Sequence, residues 1–177
     1  MAGTATARKA GCVISESLGV IPPQAIDLES VVLGAIMLER DAVLTVQEIL
    51  TPESFYREAH QLIYRAILDL SARIEPIDLY TVGQRLAKNG VLAEVGGPAY
   101  LAGLTQKIGS AAHIEFHARI IQQKSSQREL IRVGGAIQKR AFDESNDLAD
   151  LLGFAESEVF RIAENSSKRK VQQAGVS

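Results

Sequence analysis

Residues 111–141 read AAHIEFHARIIQQKSSQRELIRVGGAIQKRA and contain no proline. One unbroken helix of about 31 residues, roughly 45 Å long, can form there. Such a helix is longer than a small helical body is wide, so its outer part is expected to leave that body as a protruding arm. Residues 122–129 are all polar, which predicts a solvated waist between two buried halves.

A second segment, residues 148–165, has the pattern of a return helix. Residues 111–142 carry six Lys or Arg and two Asp or Glu, whereas residues 143–165 carry one and seven. Opposite charges favour an antiparallel pairing of the two legs, although exposed ion pairs contribute little individually. Apolar residues at helical spacing predict the stripe that lies on the arm: Leu148, Leu152, Ala155, Val159 and Ile162.

Three further apolar residues of the return segment, Leu151, Phe154 and Phe160, lie off this predicted stripe. A hairpin of two helices has no third layer that could bury them. Exposed apolar surface on a protruding element indicates a partner. The pattern therefore predicts an interaction module.

Composition limits the possible functions of the 177 residues. A formal charge of −2 argues against generic nucleic-acid binding, which a basic excess drives. The single cysteine, Cys12, excludes an internal disulfide and indicates a reducing cytosolic setting. No apolar run approaches the roughly 18 residues of a membrane span. Residues 1–21 have two early basic residues but no apolar region, so we expect a flexible tail rather than a targeting peptide.

Residues 22–110 are predicted to form a compact all-α body. Residues 31–38 are eight apolar residues in a row, and periodicity alone does not separate a buried helix from a buried strand. No other segment has the pattern of a pairing strand, so a central buried helix is predicted. Short helices are also predicted at residues 41–50, 57–73, 78–89 and 99–108, with one helical turn beginning at Thr51 and Pro52.

The predicted helix ends rest on capping residues. Asp78 is predicted to cap the helix that follows it, and Gly90 to end that helix in the left-handed conformation. Gly109 and Ser110 are predicted to stop the last body helix and to cap the arm. The fold class is thus all-α: a bundle of five to six short helices in residues 22–110, a hairpin in residues 111–165 and a linker in residues 166–177.

Few residues suggest catalysis. The sequence has no Gly-Lys dipeptide, which a phosphate-binding loop of the Walker type requires. His113 and His117 could share a zinc ion from one helical face, but no third ligand is evident, so solvated or hydrogen-bonded histidines are the preferred interpretation. His60 is predicted to be a satisfied core residue. Asp27 and Glu29 are interpreted as first-turn charges that stabilise a helix rather than as a catalytic pair.

Five motifs in order resemble the amino-terminal domain of the bacterial replicative DNA helicase, the DnaB family, over residues 22–165. The motor half of that family is absent. The resemblance therefore implies that this fragment has no helicase activity and binds neither ATP nor magnesium. Residues 166–177 match the start of the linker to the motor half. The motifs are PP at 22–23 with ESVVLGAIM at 29–37, FY at 55–56 with HQLIY at 60–64, PID at 76–78 with TV at 81–82, GG at 96–97 with YL at 100–101, and SAA at 110–112.

The resemblance implies a function in the bacterial cytoplasm, at the replication fork. In this family hairpins pair between subunits, paired subunits form a collar that is a trimer of dimers, and the collar docks the carboxy-terminal domain of primase. Self-association is then expected at Leu151, Phe154, Val159 and Phe160. Primase docking is expected at Asp27, Tyr100, Ile131 and Ile137.

Two other functions stand beside this one. The helicase-interaction domain of primase has a similar fold, so the chain could be the adaptor on the other side of the contact, although the order of motifs weighs against it. A metal-dependent enzyme that uses His113 and His117 is the third possibility, which elemental analysis would test. Binding of single-stranded DNA is expected to be weak or absent.

Overall fold

A computed structural model describes residues 19–107 and 111–171, with side chains described through Ser166. Helices and no strands occupy these ranges, so the all-α prediction is confirmed. Residues 24–125 form one compact unit, here called the body unit, and residues 126–171 with residues 19–23 form the hairpin unit. The elements are α1 (Ile26–Leu38), α2 (Ala42–Gln47), a 3-10 helix (Pro52–Ser54), α3 (Glu58–Ala72), α4 (Leu79–Lys88), α5 (Gly97–Gln106), α6 (Ile114–Ala141) and α7 (Leu148–Val171).

Helix α1 is the centre of the body unit, as predicted from its apolar run. It packs against α2, α3 and α5. Neighbours on several sides explain why its sequence shows no amphipathic stripe, because a helix surrounded by others is apolar all round. Three of its large side chains are fully buried: Val32, Leu33 and Ile36.

The caps predicted from sequence are present in the body unit. The Asp78 carboxylate accepts hydrogen bonds from the backbone N–H groups of Tyr80 and Thr81, at 2.8 and 2.9 Å. The Thr81 hydroxyl accepts in turn from the backbone N–H of Asp78, at 2.9 Å, which completes a capping box. Gly90 follows α4 with φ +72°, the left-handed conformation that favours glycine. A second capping box joins Thr51 and Ser54 around the 3-10 helix.

Helix α5 begins earlier than predicted. Its N-cap is Gly96, at φ +105°, and its first residue is Gly97 rather than residue 99. A Cβ atom at Gly96 would lie 2.9 Å from the Cβ of Tyr100, so this position needs glycine for space as well as for conformation. The predicted end of this helix, at Gly109 and Ser110, lies outside the described residues.

Helices α6 and α7 run antiparallel, as predicted for a hairpin. Asp143 in the connecting turn accepts hydrogen bonds from the backbone N–H and the hydroxyl of Ser145. Helix α7 continues past the predicted end at residue 165 and reaches Val171. Four contacts show the antiparallel direction, because residue numbers increase along α6 while those of their partners decrease along α7. The contacts are Ser126 with Ser166, Glu129 with Arg161, Arg132 with Glu158, and Arg140 with Phe154.

The face of α7 that lies against α6 differs from the predicted stripe. Ala155 and Ile162 are on it, but Leu148, Leu152 and Val159 are exposed. The ion pair between Glu158 and Arg132 and the contact of Arg140 with the Phe154 ring set a different helical phase. The prediction counted apolar residues alone, whereas the real seam includes a glutamate. Its members from α7 are Leu151, Phe154, Ala155, Glu158 and Ile162.

The predicted solvated waist at residues 122–129 is also wrong. All of these residues except Gln123 are partly buried. Two of their charged side chains are bonded within the hairpin unit: Arg128 donates to the carbonyl of Pro23 at 2.8 Å, and Glu129 accepts from Arg161 at 3.1 Å. Because buried polar groups need partners, a polar stretch in a long helix can mark a polar seam as well as a solvated one.

Candidate interaction surfaces

The outer flank of α7 carries large apolar side chains that nothing in the described chain covers. Leu148, Leu152 and Val159 recur at helical spacing and are exposed, and Phe160 beside them is 62% exposed. Of the residues predicted for self-association, Val159 and Phe160 belong to this flank, whereas Leu151 and Phe154 are half-buried in the seam. The structure thus divides the predicted set between two faces of one helix.

Helix α6 carries its own exposed apolar side chains in the hairpin unit. Leu130 and Ile131 are exposed, Ile137 is half-buried, and Phe142 directly after the helix is almost fully exposed. Among the residues predicted for primase docking, Ile131 therefore remains accessible although it lies next to the seam. Only Val133 on the described part of this helix beyond residue 125 is buried.

Four charged side chains bridge the hairpin. Arg132 and Arg161 each donate to both Glu129 and Glu158, at distances between 3.1 and 3.3 Å. Burial raises the pKa of the Glu129 carboxyl, but the hydrogen bonds from Arg132 and Arg161 outweigh burial and bring the pKa below its ordinary value. The hydrogen bond from Arg161 is the main reason why the pKa of Glu158 is lowered. The network therefore keeps both carboxyl groups ionised and holds the two helices in register.

A second cluster lies in the body unit around Tyr100, one of the residues predicted for primase docking. Its hydroxyl oxygen lies 2.7 Å from His60 Nε2 and accepts from Arg57 Nη1 at 3.1 Å. The Arg57 guanidinium lies 5.8 Å from the centre of the Tyr100 ring. His60 is 0% exposed, so the prediction of a satisfied core histidine is confirmed. Asp27, also predicted for docking, is exposed on α1.

Glu29 lies in the first turn of α1, as predicted, but it also has a role that was not predicted. It is 1% exposed and accepts from the backbone N–H of Tyr56 at 2.7 Å, while His60 Nδ1 lies 2.6 Å from its other oxygen. The backbone N–H of Arg57 also points to it, at 3.4 Å. Glu29 thus accepts hydrogen bonds from backbone N–H groups just before α3. The N-cap side chain of that helix makes no capping hydrogen bond. The partners are 27 to 31 residues away, and no local sequence signal marks them.

Metal-ligand geometry is not found in the described ranges. The rings of His113 and His117 are 6.5 Å apart, and no group of three histidine, cysteine, aspartate or glutamate side chains could hold an ion there. Within the same ranges, every helix is too short or too polar to cross a membrane.

Comparisons with known proteins point to one family. The family model for the DnaB-like helicase N terminal domain matches residues 21–123. The replicative DNA helicase DnaC of Bacillus subtilis is 40% identical over 152 residues, which are 86% of this chain and 34% of that protein. DnaB of Geobacillus stearothermophilus is 40% identical over 144 residues, 81% of this chain and 32% of that protein. The chain spans about a third of the length of these two relatives.

Solved structures give the same result. The N-terminal domain of DnaB helicase from Mycobacterium tuberculosis superposes with a TM-score of 0.76 and 37% identity, covering 80% of this chain and 99% of that one. A DnaB-like replicative helicase, solved in a study of its interactions with primase, has a TM-score of 0.65 over 78% of this chain and 31% of that one. At 24% identity this second likeness shows the fold alone. The family match, the identity to replicative helicases and the superposition together place this chain in the family of DnaB N-terminal domains.

Proposed function

We propose that this chain is the assembly and docking part of a replicative DNA helicase, in which hairpins pair between subunits to build a collar and the collar binds primase. The observation that carries the proposal is the exposed apolar flank of α7. A two-helix hairpin buries a single seam, so Leu148, Leu152, Val159 and Phe160 stay in water unless another molecule covers them.

Self-association through this flank is the first part of the proposal. A second copy of the hairpin would present the same flank, which suits a two-fold contact in which equivalent residues meet. Val159 and Phe160 are the main contacts in this proposal. Leu151 and Phe154 support it from the seam, where the Arg140 guanidinium lies 3.7 Å from the centre of the Phe154 ring. A trimer of such dimers is the assembly expected for the parent hexamer.

Primase docking is the second part. One structural neighbour is a DnaB-like replicative helicase that interacts with primase, and 31% of that helicase chain is similar in fold to this chain. The docking residues that we propose are Asp27, Tyr100, Ile131 and Ile137. Asp27 and Ile131 are exposed, and Tyr100 and Ile137 are half-buried, so each presents surface to a partner.

The chain itself is proposed to be an assembly module without catalytic turnover or cofactor. The sequence has no Gly-Lys dipeptide for a phosphate-binding loop, and the chain corresponds to about a third of relatives that are whole helicases. ATP and magnesium would belong to the motor part, and the parent protein would work at the replication fork in the bacterial cytoplasm. Purified chain should hydrolyse ATP no faster than buffer; faster hydrolysis would contradict this part of the proposal.

The assembly proposal is tested with Phe160→Glu. A charge in the middle of an apolar contact should weaken self-association by at least about ten-fold, since burying an unpaired charge costs several kcal/mol. Sedimentation velocity over a range of protein concentrations measures the change, and far-UV circular dichroism checks that helical content is retained.

Phe116→Glu is the matched control for this test. Phe116 is also an exposed phenylalanine, 65% accessible, but it lies in the body unit. Its variant should sediment like the wild type. Self-association through the α7 flank is disproved if Phe160→Glu leaves the sedimentation unchanged, or if both variants weaken it equally.

A further inference from the structure

The Tyr100 hydroxyl is the junction of a continuous chain of hydrogen bonds from the core to the surface. Glu29 and His60 form the buried end, with Glu29 Oε2 2.6 Å from His60 Nδ1. His60 Nε2 lies 2.7 Å from the Tyr100 hydroxyl, and Arg57 Nη1 donates to the same oxygen at 3.1 Å. The four residues come from α1, the start of α3 and α5, so the chain crosses three elements of the body unit.

The direction of each hydrogen bond follows from its neighbours. Glu29 accepts from the backbone N–H of Tyr56 and from His60, so His60 Nδ1 carries the proton that is donated to the carboxylate. In the neutral ring, Nε2 is then the acceptor, and the Tyr100 O–H donates to it. The Tyr100 oxygen keeps its lone pairs for the guanidinium. The Tyr100 hydroxyl is thus held between His60 and Arg57.

Arg57 is the exposed end of this chain. Its guanidinium is fixed twice, by the hydrogen bond to Tyr100 and by its position over the Tyr100 ring. Among the described residues it has no carboxylate partner, in contrast to Arg65, which pairs with Glu53 at 3.1 Å. A guanidinium has five N–H donors, so most of those on Arg57 remain for another molecule.

We propose that Glu29 and His60 are positioning residues that hold Tyr100 and Arg57 as a recognition site for a carboxylate side chain of the docked protein. A planar guanidinium pairs with a carboxylate through two parallel hydrogen bonds. Fixing it in advance lowers the entropy lost on binding. The inference rests on the proposed docking function, because the carboxylate belongs to primase.

Binding of the carboxy-terminal domain of a bacterial primase to the whole chain, measured by titration calorimetry, tests the site. Tyr100→Phe keeps the ring and removes the hydroxyl, and Arg57→Gln removes the charge. Each should weaken binding roughly five- to ten-fold, which is the effect of losing one typical hydrogen bond. The double variant should bind only slightly more weakly than Arg57→Gln alone, because both changes break the same chain of hydrogen bonds.

Matched controls separate this site from general effects. Tyr80→Phe removes a hydroxyl from an exposed tyrosine, and Arg65→Gln neutralises an exposed arginine that is already paired. Neither should change the affinity by more than about two-fold, which is the range of ordinary surface substitutions. Raising the salt concentration should weaken wild-type binding more than binding of Arg57→Gln, because the proposed contact is ionic.

The positioning role has a readout that needs no partner. Nitrogen-15 NMR of the free chain should show His60 as the Nδ1–H tautomer, and the Nε2 resonance should shift in Tyr100→Phe but not in Tyr80→Phe. An Nε2–H tautomer in the wild type would overturn the proposed chain of hydrogen bonds. If the wild type binds primase and neither Tyr100→Phe nor Arg57→Gln weakens binding, docking stands and the recognition site is disproved. If the wild type binds no primase domain, the docking proposal fails and the carboxylate site fails with it.

Discussion

The body unit and the hairpin unit are built from similar helices but are held together by different interactions. The body unit buries a continuous apolar core around α1, to which every α-helix of the unit contributes. In the hairpin unit Val133 and Ile162 are the buried apolar residues among those described, and ion pairs, a hydrogen bond and the contact of Arg140 with the Phe154 ring also join the two helices. A core of that size stabilises two helices only weakly. The comparison indicates a body unit stabilised mainly by apolar burial and a hairpin unit that relies on few buried residues and leaves an apolar flank exposed.

The largest change in the free energy of unfolding is expected for a substitution of Glu29, in the body unit. Glu29→Ala leaves a buried imidazole and backbone N–H groups without their acceptor, so the free energy of unfolding should fall by about 4 kcal/mol, as for other broken buried pairs. Urea denaturation followed by circular dichroism measures it. Asp27→Ala removes an exposed carboxylate from the same helical turn and should cost about 0.5 kcal/mol. If both variants lose the same free energy of unfolding, Glu29 acts only as a first-turn charge and its buried hydrogen bonds do not stabilise the fold.

The same substitution in the two units tests the difference in packing. Ile67→Ala, in the core of the body unit, should lower the free energy of unfolding by about 3 to 4 kcal/mol, since it leaves a cavity with walls on all sides. Ile162→Ala should cost about 1 to 2 kcal/mol, near the lower limit for such changes, because a two-helix seam can partly close.

Hydrogen exchange resolved by residue would assign each loss to its unit. Exchange should accelerate in α3 for Ile67→Ala and in α7 for Ile162→Ala. A larger cost at Ile162 than at Ile67 would show that the hairpin is the better packed unit.

A third prediction concerns acid. The pKa values of Glu129 and Glu158 in the folded chain lie below the ordinary value of 4.5, so the unfolded chain binds more protons as the pH falls. The stabilisation from the network is therefore complete above about pH 4.5 and is lost as the pH falls through the lower folded-state values. Amide exchange in α7 should accelerate below that pH.

Glu129→Gln is the control for this pH effect. Asp69 in the body unit, whose pKa is lowered mainly by the hydrogen bond from Arg73, gives the whole chain an acid sensitivity of the same sign. The variant removes the contribution of Glu129 and leaves Glu158 paired with Arg132 and Arg161, so the dependence of α7 exchange on pH should become smaller. If α7 exchange in Glu129→Gln keeps the full wild-type dependence on pH, the ion pairs of Glu129 do not stabilise the hairpin.

The smallest effect is expected at Ile74, directly after α3. Ile74 has φ +59° and is largely exposed, a conformation that costs a β-branched residue about 1 to 2 kcal/mol. Ile74→Gly removes that strain and adds some flexibility to the unfolded chain. We expect a net gain of about 0.5 kcal/mol in the free energy of unfolding. Gly90→Ala, at φ +72°, should have the opposite sign, and equal signs would contradict the strain at Ile74.

Sequence patterns were sufficient for most of the body unit. Asp78, Thr81 and Gly90 act on residues within one helical turn, so local rules locate the ends of α4. The helical state of α1 required one further argument, the lack of any pairing strand. Glu29 could not be interpreted in this way, because its acceptor role depends on residues 27 to 31 positions further on.

The hairpin was predicted as a pairing of helices but not in its detailed register. Counting apolar positions selected Leu148, Leu152 and Val159 for the seam, and the structure exposes all three. Glu158 takes a seam position because Arg132 on the facing helix neutralises it. A seam in which charges replace part of the apolar contact has no simple hydrophobic period. Exposed apolar side chains on the return helix were therefore predictable from the sequence, whereas the assignment of each residue to a face required the three-dimensional structure.

The buried carboxylate of Glu29 also has a consequence for the order of folding. Helix α3 takes the acceptor for its first turn from a segment that is distant along the chain. Loop closure between the two segments must therefore precede the closing of that turn. The beginning of α3 should gain protection from exchange together with the docking of α1, and later than the middle of its own helix.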